Sequence, residues 1–263
     1  MIFKQTGVHL PAVEWKLAYS NTFCAIGSCF AEVIGRGLAE SKFKVLSNPF
    51  GTLFSPEALS HRLLEALQGT PPPQELYYEL SDGIWLHHHY HSDLWAESQS
   101  ALEPLLVEKQ QQTAAWLAQT DVLVLTLGSA FVYRHLATGM RVANCHKLPS
   151  TFFEKELMSV DEVVNELRSL FQALLTLQPK MKILLSVSPV RHTRDTLVLN
   201  QVSKSVLRIA CHQLQEAFAE VVYFPAYEIL LDELRDYRYY DEDLIHPSLQ
   251  AERYILERFA ETF

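Results

Sequence analysis

The chain has 263 residues, 22 of them lysine or arginine and 31 aspartate or glutamate, which gives a formal net charge of −9. This length can bury the core of one α/β domain, and the acidic balance argues against a nucleic-acid partner. The N-terminal residues lead into Pro11 without an apolar stretch long enough for a signal peptide or membrane span. We therefore expect a cytoplasmic protein with no membrane partner; the sequence sets no oligomeric state.

Short apolar runs alternate with longer amphipathic segments, a pattern typical of a parallel sheet covered by helices on both faces. We expect one domain over residues 1–263 with an α/β fold, a three-layer α/β/α sandwich around a central parallel sheet of about five strands. The predicted strands are Thr22–Ile26, Lys44–Ser47, Asp121–Leu127, Lys182–Ser188 and Val221–Phe224.

Caps and periodicity predict the helices. One begins at Ser55, with Pro56 in its first position, and another begins at a capping box formed by Ser159 and Glu162. A third carries an apolar stripe that we expect to face the core. This stripe consists of Val202, Val206, Ile209, Ala210, Leu214, Ala217 and Phe218.

Two segments interrupt the alternation. Residues 68–98 contain three consecutive prolines and a cluster of aromatic and histidine residues that is too irregular for a helix. We expect an insertion or lid there, over one end of the sheet. Residues 131–144, with Gly139 at a turn, predict a β-hairpin that projects beyond the third strand.

A Gly-Ser-Cys sequence follows the first predicted strand directly. In a doubly wound sheet, the loop after this strand opens at the carboxyl edge, where such folds bind ligands. Ser28 would also stand at a helix N-terminus, which favours developing negative charge. It could be a nucleophile or only the N-cap of the helix. Cys29 is a second candidate nucleophile, although a small thiol beside Phe30 can equally be packed.

A candidate base lies near the other end of the chain. Asp243 and His246 are three residues apart, so the carboxylate can reach one imidazole nitrogen and leave the other free to take a proton from a hydroxyl. The pair follows the last predicted strand. If the sheet is parallel, it lies on the same edge as Ser28. A surface ion pair is the alternative interpretation.

Several motifs together resemble one family. Gly27–Ala31 spells the signature of the GSCFA family, within the SGNH or GDSL-like hydrolases, and Asp243-x-x-His246-Pro247 resembles their final block. The resemblance extends over the full length and implies a flavodoxin-like SGNH hydrolase fold that needs no cofactor. The motifs between the ends are Asn48–Thr52, Thr126–Ser129, Asn144–Lys147 and Ser186–Val190.

The resemblance implies roles for individual residues. Ser28 would be the nucleophile, His246 the base and Asp243 the group that orients the base. The backbone N–H groups of Ser28 and Gly51 would hold the oxyanion, and a glycine allows a substrate oxygen to approach the backbone closely. Gly51 could equally be an ordinary turn residue.

The third block departs from the family pattern. SGNH enzymes typically place an asparagine two residues after the glycine of this block, where this chain has Ala130. One oxyanion donor is therefore missing from its usual place. Asn144 is our first candidate to replace it and Ser129 our second, because either side chain can donate a hydrogen bond.

The remaining polar residues have open interpretations. In an extended segment His87, His89 and His91 would share one face and could bind zinc, but we favour no metal and expect a solvated loop or a substrate rim that includes His91. His146, Lys147 and Arg191 are candidate substrate contacts with structural alternatives. The cysteines lack the spacing of a metal site, and we expect free thiols: Cys24, Cys29, Cys145 and Cys211.

The sequence thus predicts a serine hydrolase of the esterase or deacetylase type. The resemblance favours small acyl or acetyl esters, including esters on carbohydrate, with a small-molecule or carbohydrate ester as the substrate. Two alternatives stay open. An acyltransferase would form the same acyl-enzyme, and a non-catalytic ligand-binding protein could retain the fold.

Overall fold

A computed structural model describes residues 6–80 and 83–263, without the side chain of Asp195. The strands are β1 (Thr22–Gly27), β2 (Lys44–Ser47), β3 (Tyr77–Leu80), β4 (Ile84–His87), β5 (Val122–Leu127), β6 (Phe131–His135), β7 (Arg141–Val142), β8 (Phe153–Leu157), β9 (Lys182–Val187) and β10 (Val221–Tyr223). The helices are α1 (Cys29–Glu40), α2 (Pro56–Gln68), α3 (Gln99–Leu117), α4 (Val160–Leu177), α5 (Thr196–Ala217), α6 (Ala226–Glu228) and α7 (Leu249–Thr262).

The central sheet has five strands in the order β10-β9-β5-β1-β2, and every neighbouring pair is parallel. The five predicted strands are confirmed, each to within one residue at either end. In chain order the strands follow the flavodoxin-like arrangement 2-1-3-4-5, so the strand order reverses between β1 and β5. The predicted α/β class is therefore confirmed, and the ligand crevice is expected beyond the carboxyl ends of these two strands.

Two hydrophobic clusters lie on opposite faces of the sheet. In β1, Cys24 and Ile26 pack into the cluster that contains residues of α2 to α5, while Phe23 and Ala25 pack into the cluster that contains residues of α1 and α7. All four side chains are fully buried. A strand buried on both faces explains the uninterrupted apolar run in the sequence.

Two small antiparallel sheets extend the carboxyl edge. Within residues 68–98, β3 pairs with β4. Residues 131–144 contain β6 and β7, which pair antiparallel, and β8 adds a third strand that the sequence did not predict. No helix in the part of the chain that the structure describes is both long and apolar enough to cross a membrane.

Candidate active site

Ser28 connects β1 directly to α1. It is 3 % exposed, and its side chain accepts a hydrogen bond from the N–H of Phe30 at 3.3 Å as the N-cap of α1. Gly27 before it has a φ of +143°, and a Cβ at this position would lie 2.1 Å from the carbonyl oxygen of Thr126. Only glycine fits here. The serine is therefore held against the neighbouring strand, at the point where the strand order reverses.

Asp243 and His246 form a hydrogen-bonded pair on the loop before α7. His246 Nδ1 lies 2.6 Å from Asp243 Oδ2, and Asp243 Oδ1 accepts the backbone N–H groups of Ile245 and His246 at 2.8 and 2.9 Å. The hydrogen bond from the His246 side chain, followed by those from the two backbone N–H groups, lowers the pKa of Asp243 to about 2. An ionised carboxylate on Nδ1 keeps a proton there and leaves Nε2 free to accept another.

The two ends of the chain meet at this edge of the sheet. Cys29, the residue after Ser28, and His246 line a common cavity of about 250 Å³, together with Val190. The loop after β9 secures the histidine loop, because the N–H of Arg191 donates to the carbonyl oxygen of Ile245 at 3.1 Å. The site is thus assembled from β1, β9 and the segment before α7.

The two backbone donors expected for the oxyanion have partners within the protein. The N–H of Ser28 donates to the carbonyl of Thr126 at 3.0 Å, and that of Gly51 donates to the carbonyl of Asn48 at 2.8 Å. Their role in an oxyanion hole stays a prediction, and it requires each N–H group to leave or share its present acceptor. The φ of Gly51 is +73°, and a Cβ there would lie 2.1 Å from Cβ of His91, so only glycine allows this close contact.

The two side chains nominated as a third donor differ: Asn144 is held through its acceptor oxygen, whereas the hydroxyl of Ser129 lies in a buried network. Asn144 Oδ1 accepts the N–H of His146 at 2.8 Å. Ser129 is 2 % exposed, and its Oγ lies 3.2 Å from Ser203 Oγ and accepts the N–H of Phe131 at 3.1 Å. Burial in this network corrects the interpretation of Ser129 as a substrate contact.

The other candidate contacts differ in accessibility. Lys147 is exposed, whereas His146 is buried, with Nδ1 at 3.0 Å from Ser92 Oγ and Nε2 at 3.1 Å from the carbonyl oxygen of His87. Burial lowers the pKa of His146 to about 4. His91 is half-buried and pairs with Asp93 at 3.0 Å. Among these residues, His146 is a structural residue.

Arg191 contacts the loop that carries His246. Its guanidinium carbon lies 3.7 Å from the centre of the Tyr240 ring, and Nη1 donates to the carbonyl oxygen of Leu244 at 3.4 Å. Stacking on an aromatic ring is favourable for a guanidinium. Because this cation already holds the loop that carries His246, the geometry favours the structural alternative over a substrate contact.

The expectation of a solvated histidine loop is wrong for His87, His88 and His89. Each is buried, and each has an imidazole nitrogen at 2.9 to 3.2 Å from a backbone carbonyl oxygen. Burial lowers the pKa of all three, that of His87 to about 3. Residues 6–80 and 83–263 contain no group of three His, Cys, Asp or Glu side chains that could hold a metal ion.

The sequence did not single out the polar residues of α5 that support the site. Lys204 is 1 % exposed, and its Nζ donates to the carbonyl oxygens of Gly128 and Ser188, both at 2.7 Å. Burial lowers the pKa of Lys204 to about 7. One ammonium group thus binds the loops that follow β5 and β9.

Two further side chains of α5 share this inner face. Ser203 Oγ accepts the N–H of Ala130 at 2.8 Å, and Asn200 Oδ1 accepts the N–H of His192 at 2.9 Å. Their positions, with Lys204, follow the i, i+3, i+4 spacing of one helix face. Such spacing by itself does not separate a buried polar face from a solvated one.

These features define an α/β protein with a serine and a histidine–aspartate pair at one sheet edge. The chain belongs to the GSCFA family, which its sequence matches over residues 22–259. No curated protein matches the sequence.

Solved structures show distant likeness. An acetyl xylan esterase from the rumen bacterium Butyrivibrio proteoclasticus is 10 % identical, with a TM-score of 0.48 over 94 % of this chain and 64 % of that one, so this chain spans less than two thirds of its length. A carbohydrate esterase of family 3 from Talaromyces cellulolyticus is 7 % identical, with a TM-score of 0.42 over 92 % and 93 %. A carbohydrate esterase of family 2 from Corynascus thermopiles, with a carbohydrate-binding domain, is 13 % identical, with a TM-score of 0.44 over 95 % and 67 %.

Proposed function

We propose that this chain is a serine esterase of the SGNH type that hydrolyses small acyl or acetyl esters, including esters on carbohydrate. The observation that carries the proposal is the 2.6 Å contact between Asp243 and His246, beside a cavity that His246 shares with the residue after Ser28. The pair holds one imidazole nitrogen protonated and leaves the other to act as a base.

The proposed reaction has two stages. Ser28 Oγ attacks the ester carbonyl carbon while His246 Nε2 takes the hydroxyl proton, and the collapse of the tetrahedral intermediate breaks the bond to the alcohol, which leaves with that proton. Water then gives a proton to His246 and attacks the carbonyl carbon of the acyl-serine. As the bond to Ser28 Oγ breaks and the acid leaves, His246 returns this proton to Ser28 Oγ. The N-terminus of α1 favours the negative charge that develops next to position 28.

Hydrolysis is favoured over acyl transfer by the exposure of the base. The side chains of His246 and Asp243 are 45 % and 44 % exposed. An acyltransferase must keep water away from its acyl-enzyme until the acceptor alcohol arrives. A base that is nearly half exposed gives water direct access, so we expect the carboxylic acid as the main product.

The test is the turnover of p-nitrophenyl acetate by the wild type and by Ser28→Ala and His246→Ala, combined with labelling by a fluorophosphonate. We expect the wild type to hydrolyse the ester and to be labelled at position 28. Both variants should lose turnover, and Ser28→Ala should lose the label. Equal rates in all three proteins would refute the proposed function, because the chemistry would then not depend on either residue.

A further inference from the structure

The proposed site lacks the asparagine that usually serves as the third oxyanion donor. The N–H groups of Ser28 and Gly51 donate to protein carbonyl oxygens, and position 130 is an alanine. The loss of one such donor typically reduces turnover about 10²- to 10³-fold. An active enzyme of this type therefore needs a side-chain donor that has no partner within the protein and lies beside the loop after β5.

His192 lies beside this loop. A Cβ built on Gly128 would be 3.3 Å from His192 Nε2, and the imidazole packs against Phe54 with the ring centres 5.4 Å apart. Phe54 itself accepts the N–H groups of Gly128 and Ser129 through its carbonyl oxygen, at 2.8 and 3.1 Å. The imidazole therefore contacts the third-block glycine, two positions before the missing asparagine.

The same segment leads back to Ser28. The N–H of Leu53 donates to the carbonyl oxygen of Gly27 at 3.1 Å, so residues 53 and 54 connect the serine turn to the loop on which His192 packs. These contacts connect His192, through Phe54 and Leu53, to the turn that carries Ser28.

His192 Nε2 is buried and has no hydrogen-bond partner among residues 6–80 and 83–263. A buried polar atom without a partner is costly, and such atoms in folded proteins often have a functional explanation. The backbone N–H of His192 donates to Asn200 Oδ1 at 2.9 Å, and this hydrogen bond fixes the backbone that carries the imidazole. An oxygen atom of a bound substrate would give Nε2 the partner that the protein does not supply.

We propose that His192 Nε2–H is the side-chain oxyanion donor of this enzyme, in the role that an asparagine of the third block fills in other SGNH enzymes. The proposal rests on the proposed esterase function. The ligand of this donor is the carbonyl oxygen of the ester, which becomes negatively charged when Ser28 attacks.

The protonation state of His192 suits a donor that keeps its proton. Burial, followed by the charges of Lys204, Lys155 and His246, lowers the pKa of His192 to about 4. The ring is therefore neutral at pH 7 and carries one proton, which Nε2 holds in one of the two tautomers. A neutral imidazole donates a hydrogen bond to an oxyanion without competing with His246 as the acid or base.

The experiment compares His192→Phe with His192→Gln. Phenylalanine keeps the ring packed on Phe54 but cannot donate, whereas the amide nitrogen of glutamine reaches about as far as Nε2 and can donate. With p-nitrophenyl acetate we expect kcat of His192→Phe to fall about 10²- to 10³-fold with KM nearly unchanged. His192→Gln should recover a substantial part of kcat.

Matched measurements separate this role from a structural one. The melting temperatures of both variants should stay near that of the wild type, and the exposed His212→Gln should keep the wild-type kcat. A His192→Phe variant with wild-type kcat would overturn the proposal, as would equal losses in the Phe and Gln variants.

The esterase function and the donor role of His192 can be refuted by different results. If the wild type neither hydrolyses the ester nor reacts with the fluorophosphonate at Ser28, the esterase assignment falls and the donor assignment falls with it. If Ser28→Ala abolishes turnover while His192→Phe leaves it intact, only the role of His192 is refuted.

Discussion

The protein contains two kinds of histidine site, and their difference shows how environment sets chemistry. His246 is nearly half exposed and has an ionised carboxylate on Nδ1. His87, His88 and His89 are buried and contact backbone carbonyl oxygens instead. A carboxylate with access to water stabilises an imidazolium, whereas burial beside a neutral carbonyl disfavours it. The histidine-rich segment is therefore structural, and the isolated histidine is the proposed base.

Removing one histidine from each region gives the largest expected contrast. We expect His246→Gln to lose about 10³-fold or more in turnover, because no other group would take the proton from Ser28. The matched variant His88→Gln should instead lose about 1–3 kcal/mol of stability, since it breaks the contact between Nδ1 of the buried His88 and the carbonyl oxygen of Asn144. Turnover of p-nitrophenyl acetate and urea unfolding of both variants check the contrast. Similar activity losses in two stably folded variants would contradict it.

Asp243→Asn tests whether His246 depends on its carboxylate partner, which the buried histidines lack. An amide keeps the size of the side chain but cannot stabilise an imidazolium, so we expect turnover to fall about 10²- to 10⁴-fold. The pKa of Asp243 is lowered to about 2. The stabilisation that the ionised carboxylate gives to the folded loop is therefore complete above the ordinary carboxyl pKa and is lost only as the pH falls through about 2. Steady-state rates from pH 5 to 8 check the loss. A variant with wild-type rates would show that His246 needs no carboxylate.

The buried histidines predict a dependence of stability on pH. The pKa of His87 falls from 6.5 to about 3 on folding, so between these values the unfolded chain binds a proton that the folded protein does not. Stability is therefore complete above pH 6.5 and decreases as the pH falls, by up to about 1.4 kcal/mol per pH unit for each such histidine. Urea unfolding at pH 7, 6 and 5 measures this slope. His87→Gln should reduce the slope; a slope equal to that of the wild type would contradict the prediction.

The smallest expected effect is that of Cys29→Ala. Cys29 lines the same cavity as His246 and is exposed, but partial desolvation raises the pKa of its thiol, so little thiolate forms at neutral pH. We expect turnover close to that of the wild type, measured beside Ser28→Ala. A loss as large as that of Ser28→Ala, with fluorophosphonate labelling retained, would transfer the nucleophile to Cys29.

The sequence predicts most of the fold because the signals are local. The strands β1, β5 and β9 are six-residue segments made mostly of apolar residues, and the sequence on their flanks is polar or turn-forming on at least one side. The prediction of which residues of α5 face the core was partly wrong. Val202 and Ile209 were expected there but are 41 % and 50 % exposed, whereas Asn200, Ser203 and Lys204 are buried. Apolar periodicity misassigned this face because buried carbonyl and N–H groups of the neighbouring loops select polar partners.

In the candidate site, too, contacts that are local in the sequence could be predicted and contacts between distant segments could not. The pair formed by Asp243 and His246 lies within four residues, so its spacing in the sequence already allows the contact. The partners of Arg191 and His192 come from distant segments and depend on how loops pack at the sheet edge. Local patterns do not encode such contacts, so the sequence nominated Arg191 without a role and did not single out His192.

Gly27 restricts how this protein can vary. Any side chain here would meet the carbonyl oxygen of Thr126 at 2.1 Å, and relief would require β1 and β5 to separate at the end of their ladder. The spacing between these two strands therefore sets the depth of Ser28 in the molecule. Insertions in the surrounding loops can reshape the rim without moving the serine, so substrate preference can diverge among homologues while the attacking group stays in place.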